Sequence, residues 1–256
     1  MAAERYARIQ TPDGTLTPAR LTPEGEAILL RQLPWLGLEE TGDRLSPEQY
    51  QLLAPVQPGK IVAVGKNYAA HAAEMGGEVP AEPLLFLKAT SAVIGPDAPI
   101  CYPRQSQRVD YEGELALVIG QPCCDLEPEA AQAAIWGYTI ANDVTARDLQ
   151  QQDRTWARAK GFDSFCPLGP WIVRQVAPDV QIETRHNGQV VQSASIQDMV
   201  FSPAILVAYI SRIMTLYPGD VILTGTPEGI GPVQPGDAVE VSIRGIGCLR
   251  NPVVQR

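Results

Sequence analysis

The sequence is poor in several features that commonly announce a function. It has two histidines and five cysteines in 256 residues. The odd cysteine count, with no paired spacing, argues against a disulfide framework or a Cys/His zinc site. The adjacent Cys123-Cys124 read as two small apolar residues rather than a redox pair. No apolar run approaches the roughly 20 residues needed to span a bilayer, so no membrane partner is expected. The N-terminus, Met1-Ala2-Ala3-Glu4-Arg5-Tyr6, has no apolar h-region; no secretory signal is expected, and a reducing cytoplasm fits. Positive charge is scarce. There are 20 Lys and Arg against 29 Asp and Glu, a net charge of −9, which argues against nucleic acid or anionic membrane as partner. An anionic substrate would need a local positive centre, such as a metal with one or two lysines. There is no internal repeat and no low-complexity segment.

The apolar and charged fractions, 45% and 19%, are those of a soluble globular protein. The length allows one large domain, or a core domain with a small appendage. Residues 1–57 read as a small N-terminal segment, a cap or an oligomer contact. In it, Tyr6 to Gln10 and Leu16 to Leu21 are the arms of a hairpin around the turn Thr11-Pro12-Asp13-Gly14. Ser46-Pro47 opens a short helix. The main domain, residues 58–256, begins with the buried strand Gly59 to Gly65.

The stretch Asp110-Tyr-Glu-Gly-Glu-Leu-Ala-Leu-Val-Ile-Gly120 contains a conflict. Leu115 to Ile119 read as a buried strand, yet Glu112 and Glu114 enter it, two residues apart and therefore on one face. Two carboxylates beside a core repel each other and are costly to desolvate. A divalent cation resolves both problems, because hard cations prefer carboxylate oxygens; a solvated acidic edge strand is the alternative. Asp143 ends a second buried strand, Ile135 to Asp143, and is either a third oxygen ligand or the N-cap of a helix from Val144 to Gln152.

Asn67 is expected to cap a two-turn helix closed by Gly76-Gly77, too short to be stable on its own. On it His71 and Glu74 share a face at i, i+3 spacing. That pair suits general-base work, or is fortuitous on a surface helix. Lys88 ends the strand Pro83 to Lys88 as a ligand contact or a solvated end residue. Lys160 sits between Ala159 and Gly161, where a lysine can be buried. Gly225-Thr226-Pro-Glu-Gly-Ile-Gly231 can offer backbone N–H groups and the Thr226 hydroxyl to an anion, but lacks the Gly-Lys-Ser/Thr of a P-loop. His186, beside the Asn187-Gly188 hairpin turn, is expected to be exposed and without chemistry. Pro203 to Leu216 reads as an amphipathic helix.

Five motifs in order, Val-Gly-Lys-Asn-Tyr-Ala-Ala-His, Asp-Tyr-Glu-Gly-Glu-Leu, Asn-Asp-Val-Thr-Ala-Arg-Asp-Leu-Gln, Lys-Gly-Phe-Asp-Ser-Phe-Cys-Pro-Leu-Gly-Pro and Tyr-Pro-Gly-Asp-Val-Ile-Leu-Thr-Gly-Thr-Pro, resemble the fumarylacetoacetate hydrolase family over roughly Lys60 to Val254. The wording is especially similar to its short, domain-containing members. The resemblance implies an α+β fold, a mixed β-sheet rolled into a pseudo-barrel with flanking helices, usually as a homodimer. It implies Mg²⁺ or Mn²⁺ held by Glu112, Glu114 and Asp143. It places Gln150, Lys160 and Thr226 around a small anionic 2-oxo acid, and makes the helix of His71 and Glu74 a lid with a water-activating dyad. The segment between Gln150 and Lys160 is shorter than in some members.

The family chemistry runs through an enolate stabilised by metal and lysine. Hydrolysis of acylpyruvates is the first expectation, because it needs the activated water that the dyad supplies. Oxaloacetate decarboxylation, and keto–enol tautomerisation or hydroxymuconate-type isomerisation, use the same parts. A metal-binding protein without turnover is the remaining alternative.

Overall fold

The computed structural model describes residues 4–256. Mixed sheets dominate and helices are few and short, an α+β architecture as expected. Twelve strands form the largest sheet. Its path begins in the N-terminal segment with Glu40–Leu45, Ala27–Leu30, Leu16–Leu21 and Arg5–Gln10. It continues through Cys166–Val173, Ile135–Asn142, Gly113–Ile119, Val221–Leu223 and Ile61–Gly65, and ends at Leu84–Lys88. That path is open at both ends among the described residues, so the expected pseudo-barrel describes it only loosely. Thr145–Ala146, Val109–Tyr111 and Gly231–Val233 make a three-stranded sheet, and a five-stranded sheet packs beside it. No helix among the described residues is long and apolar enough to cross a membrane.

The N-terminal hairpin forms as read, with Arg5–Gln10 paired to Leu16–Leu21. Ala7, Ile9, Ala19, Leu21 and Ala27 give it a small core of its own. It is also hydrogen-bonded into the main sheet, Tyr6 opposite Ile172.

The strand Gly113–Ile119 is buried along its whole length and flanked by strands on both sides. This explains its unbroken apolar run, since neither face alternates with solvent. Gly113 is there for space. A Cβ on it would lie 2.2 Å from Thr184 Oγ1 and 3.0 Å from Val241 Cγ1 of the five-stranded sheet, so any side chain would separate the two sheets. Two helices, Pro128–Ala134 and Pro203–Ile213, pack through Ala131, Ala134, Leu206, Val207 and Ile210.

Several expected boundaries move. The helix after Ser46 is a single 3₁₀ turn, Pro47–Gln49. Asn67 does not cap the helix Ala69–Glu74; Tyr68 holds that position. The Asn67 amide instead donates to Thr224 O (2.7 Å) and Phe201 O (3.0 Å), and its carbonyl accepts from Phe201 N (2.7 Å). It therefore rivets the strand end to two distant loops. The helix expected from Val144 starts at Arg147, after the short strand Thr145–Ala146. The helix expected to reach Leu216 stops at Ile213.

Candidate active site

Sheet register assembles the acidic cluster. Gly113 lies opposite Asn142, so Glu112, just before the one, faces Asp143, just after the other. The backbone locks this corner: Asp143 N donates to Glu112 O (2.8 Å), and Glu112 N donates to Asn142 Oδ1 (2.9 Å). One carboxylate oxygen from each of Glu112, Glu114 and Asp143 falls in a group within 4.8 Å. All three are buried, at 4%, 1% and 0% exposure, which removes the solvated-edge reading. Asp143 is not a helix cap either, because the next helix starts four residues later.

Cations surround this cluster unevenly. Lys160 Nζ donates to Asp143 Oδ2 (2.6 Å) and Glu112 Oε2 (3.0 Å), and lies 4.8 Å from the Phe86 ring centre. Lys88 donates to Asp143 Oδ1 and Val144 O. It is thus neither solvated nor on the cavity wall, but buried behind Asp143. Arg147 donates to Glu112, to Asp110 (2.9 Å) and to Gln150 Oε1 (2.6 Å). Glu114 has no ion-pair partner among the described residues; it accepts one bond, from Gly225 N (2.7 Å).

The titration behaviour follows. Burial, with the Asp143 and Glu112 carboxylates adding to it, pushes Glu114 well above the usual carboxylate range. Burial acts the same way on Glu112, but the Lys160 and Arg147 cations outweigh it and hold that group well below the range. Burial works against the Lys160 ammonium, yet Asp143 and Glu112 outweigh it and raise the group, so Lys160 is a fixed cation. Three converging oxygen donors with one unneutralised buried carboxylate form a donor set that fits a hard divalent cation.

A cavity of about 60 Å³ opens against this cluster. Glu112, Glu114, Lys160, Gln150, Thr226 and His71 all reach its wall. His71 is buried rather than spread on a surface helix. Its Nδ1 lies 3.1 Å from Glu74 Oε2, and Glu74 Oε1 accepts from Gly229 N (3.0 Å). The glycine-rich loop does present N–H groups to anions, but the anions are the protein's own Glu114 and Glu74. Thr226 commits its hydroxyl proton to Gly113 O (2.9 Å) and accepts from Gln192 (2.9 Å). Gln150 gives its carbonyl to Arg147, leaving its NH₂ free to point at a ligand.

His186 lies outside this group. It is half-buried rather than exposed, with Nε2 2.8 Å from Asp237. The sequence reading missed Arg147, Lys66 and the aromatic pair Phe86 and Trp156, all on the cavity wall. Arg147 left a usable signal, since it stands i, i+3 from Gln150 on one helix face.

Comparison with known proteins gives the same outline. The family model for the fumarylacetoacetate hydrolase C-terminal domain matches residues 60–254. A second model, Rv2993c-like N-terminal, matches residues 4–55. The human mitochondrial oxaloacetate tautomerase FAHD2A is 44% identical over 260 residues, covering 96% of this chain and 78% of that protein. The crystal structure of a 5-carboxymethyl-2-hydroxymuconate delta-isomerase from Mycobacterium smegmatis superimposes with a TM-score of 0.91 at 46% identity, covering 98% of this chain and 100% of the other. A fumarylpyruvate hydrolase from Pseudomonas aeruginosa, solved with Mn²⁺ and pyruvate, gives 0.74 at 36% identity, over 80% and 92% of the two chains.

Proposed function

The chain belongs to the fumarylacetoacetate hydrolase family, and from that premise we propose that it moves a proton at the carbon beside the ketone of small 2-oxo acids, as a keto–enol tautomerase of oxaloacetate. The observation that carries this reading is the position of the base. His71, backed by Glu74, and the fixed cation Lys160 reach the wall of one cavity of about 60 Å³. The base and the cation therefore face one enclosed space of the kind a small 2-oxo acid would enter.

Each residue has a task in this reaction. Glu74 accepts from His71 Nδ1–H, which leaves Nε2 to take the proton from C3. The negative charge that develops on the C2 oxygen lies near the Lys160 ammonium, oriented in advance by Asp143 and Glu112. The Gln150 NH₂ group, its carbonyl held by Arg147, orients the substrate carboxylate. Held by Glu112, Glu114 and Asp143, Mg²⁺ or Mn²⁺ would supply a Lewis acid that draws charge from the 2-oxo carbonyl. His71 then delivers that proton to the C2 oxygen, which gives the enol, and the reverse path takes the enol O–H proton and places it on C3.

The similarity to FAHD2A and to the delta-isomerase supports proton transfer. Hydrolysis of acylpyruvates is the second reading. It is favoured by the same dyad turned on a water molecule, and by the likeness to the fumarylpyruvate hydrolase.

The test is to follow decay of the oxaloacetate enol by ultraviolet absorbance, with Mg²⁺ or Mn²⁺ and with EDTA. Acetylpyruvate cleavage and CO₂ release are assayed in parallel, each against a protein-free metal control. Fast, EDTA-sensitive enol decay is the expected result. Acetylpyruvate cleavage without enol decay would transfer the assignment to hydrolysis, CO₂ release alone would make the protein a decarboxylase, and no turnover at all would leave a metal-binding protein. Lys160→Met is expected to lower the principal rate tenfold or more, about 1.4 kcal/mol, in a protein whose circular dichroism is unchanged.

A further inference from the structure

We propose that Lys66 selects dicarboxylic over monocarboxylic 2-oxo acids by receiving the substrate's second carboxylate; this rests on the proposed action on 2-oxo acids. The buried cations around the cavity are spoken for, whereas Lys66 is half-buried. Lys160 is held by Glu112 and Asp143, Lys88 by Asp143, and Arg147 by Asp110 and Glu112. Lys66 also lines the cavity, yet among the described residues its ammonium has no carboxylate at ion-pair distance and no hydrogen-bond acceptor.

Its backbone is unusual too. Lys66 has φ +58°, in the left-handed region, which a side chain other than glycine or asparagine seldom adopts. Such a conformation persists where the surroundings over-determine it. Here they do: the preceding residue ends the strand Ile61–Gly65, and Asn67 is riveted to Phe201 and Thr224. A glycine would fit this turn without strain. Among the described residues the lysine gains no partner, and its charge is read as facing a ligand.

The ammonium lies beside Gly77. A Cβ on Gly77 would come within 2.5 Å of Lys66 Nζ, so the side chain runs from the strand end to the two glycines that close the helix of His71. The Lys160 end of the cavity takes the carboxylate and C2 oxygen that every 2-oxo acid has. A carboxylate at the far end of a four-carbon diacid needs another cation, and Lys66 is the uncommitted one. In a chain of net charge −9, a second negative group would otherwise meet repulsion.

The experiment pairs two ligands that cannot enolise, because C3 carries no hydrogen. They are 2-oxo-3,3-dimethylsuccinate and its monocarboxylate counterpart 3,3-dimethyl-2-oxobutanoate. Affinities are measured by calorimetry with Mg²⁺ present, with CO₂ release from the diacid (a β-oxo acid) followed as a control, for the parent, Lys66→Met, Lys66→Arg and Gly77→Ala. The parent should prefer the diacid by about tenfold or more. Lys66→Met should erase that preference while leaving monoacid affinity unchanged, Lys66→Arg should keep it, and Gly77→Ala, which displaces the ammonium, should weaken it. For oxaloacetate, Lys66→Met should raise KM by a similar factor with little change in kcat. An unaltered preference in Lys66→Met, or an equal loss for both acids, overturns the proposal. A Lys66-dependent preference in a parent with no enol–keto turnover would uphold Lys66 and reject the tautomerase assignment.

Discussion

Glu114→Gln is expected to leave the metal-free protein at least as stable as the parent and to abolish its stabilisation by Mn²⁺. Among the described residues Glu114 is buried without an ion pair, and its folded-state affinity for a proton is raised. Its ordinary pKa is about 4.3. With the folded value above the unfolded one, the favourable contribution is complete below the unfolded value. It is lost as pH rises through the interval up to the folded one. Near neutral pH the ionised carboxylate is therefore a burden on the metal-free fold. Glutamine copies the neutral form, and its carbonyl can still accept from Gly225 N. Parent protein with Mn²⁺ at 100 times its dissociation constant should gain about 2.7 kcal/mol, or roughly 5–10 °C in Tm for a domain of this size. Melting curves with EDTA and with Mn²⁺ read both effects. A variant that still gains several degrees from Mn²⁺ would remove Glu114 from the ligand set.

His71→Ala should lower enol–keto conversion by about 10²–10⁴-fold, the usual contribution of a positioned general base. Glu74→Gln should cost less, because it leaves the imidazole in place and weakens only its orientation through the 3.1 Å contact. The two substrates separate the possible roles. If His71 serves proton transfer at C3, oxaloacetate tautomerisation and acetylpyruvate cleavage both fall. If it serves only to activate water, cleavage falls and tautomerisation stays. Unchanged rates on both substrates, in a folded variant, would take His71 out of the chemistry altogether.

Much of this centre is legible in the sequence because it is built on strands, where alternation places side chains by counting. Glu112 and Glu114 share a face for that reason, and their conflict with the apolar run that follows marks the site. The intervening Gly113 is legible only in three dimensions, since the atoms that forbid a side chain there belong to Thr184 and Val241, some 70 and 130 residues away. Asn67 was misread for a similar reason. Its local setting is that of a helix cap, but distant carbonyls claim its amide. The left-handed turn at Lys66 leaves no trace in composition. The hydroxyl of Thr226 looked available because the carbonyl of Gly113 that takes its proton is over 100 residues away.

One loop holds two parts of the centre at once. Gly225 N grips Glu114, and four residues on, Gly229 N grips Glu74, which in turn orients His71. The backbone that holds Glu114 is thus the backbone that aims the base, so a turn of Glu114 toward a cation would be felt at His71. Two such binding events would be thermodynamically linked, and linkage is reciprocal: whatever factor the ligand lends to cation affinity, the cation lends back to the ligand. Order of arrival then acquires meaning. On the proposed reaction, a cation seated at Glu114 would help to aim the imidazole, and a reactive enol would then form only in a centre able to hold its charge.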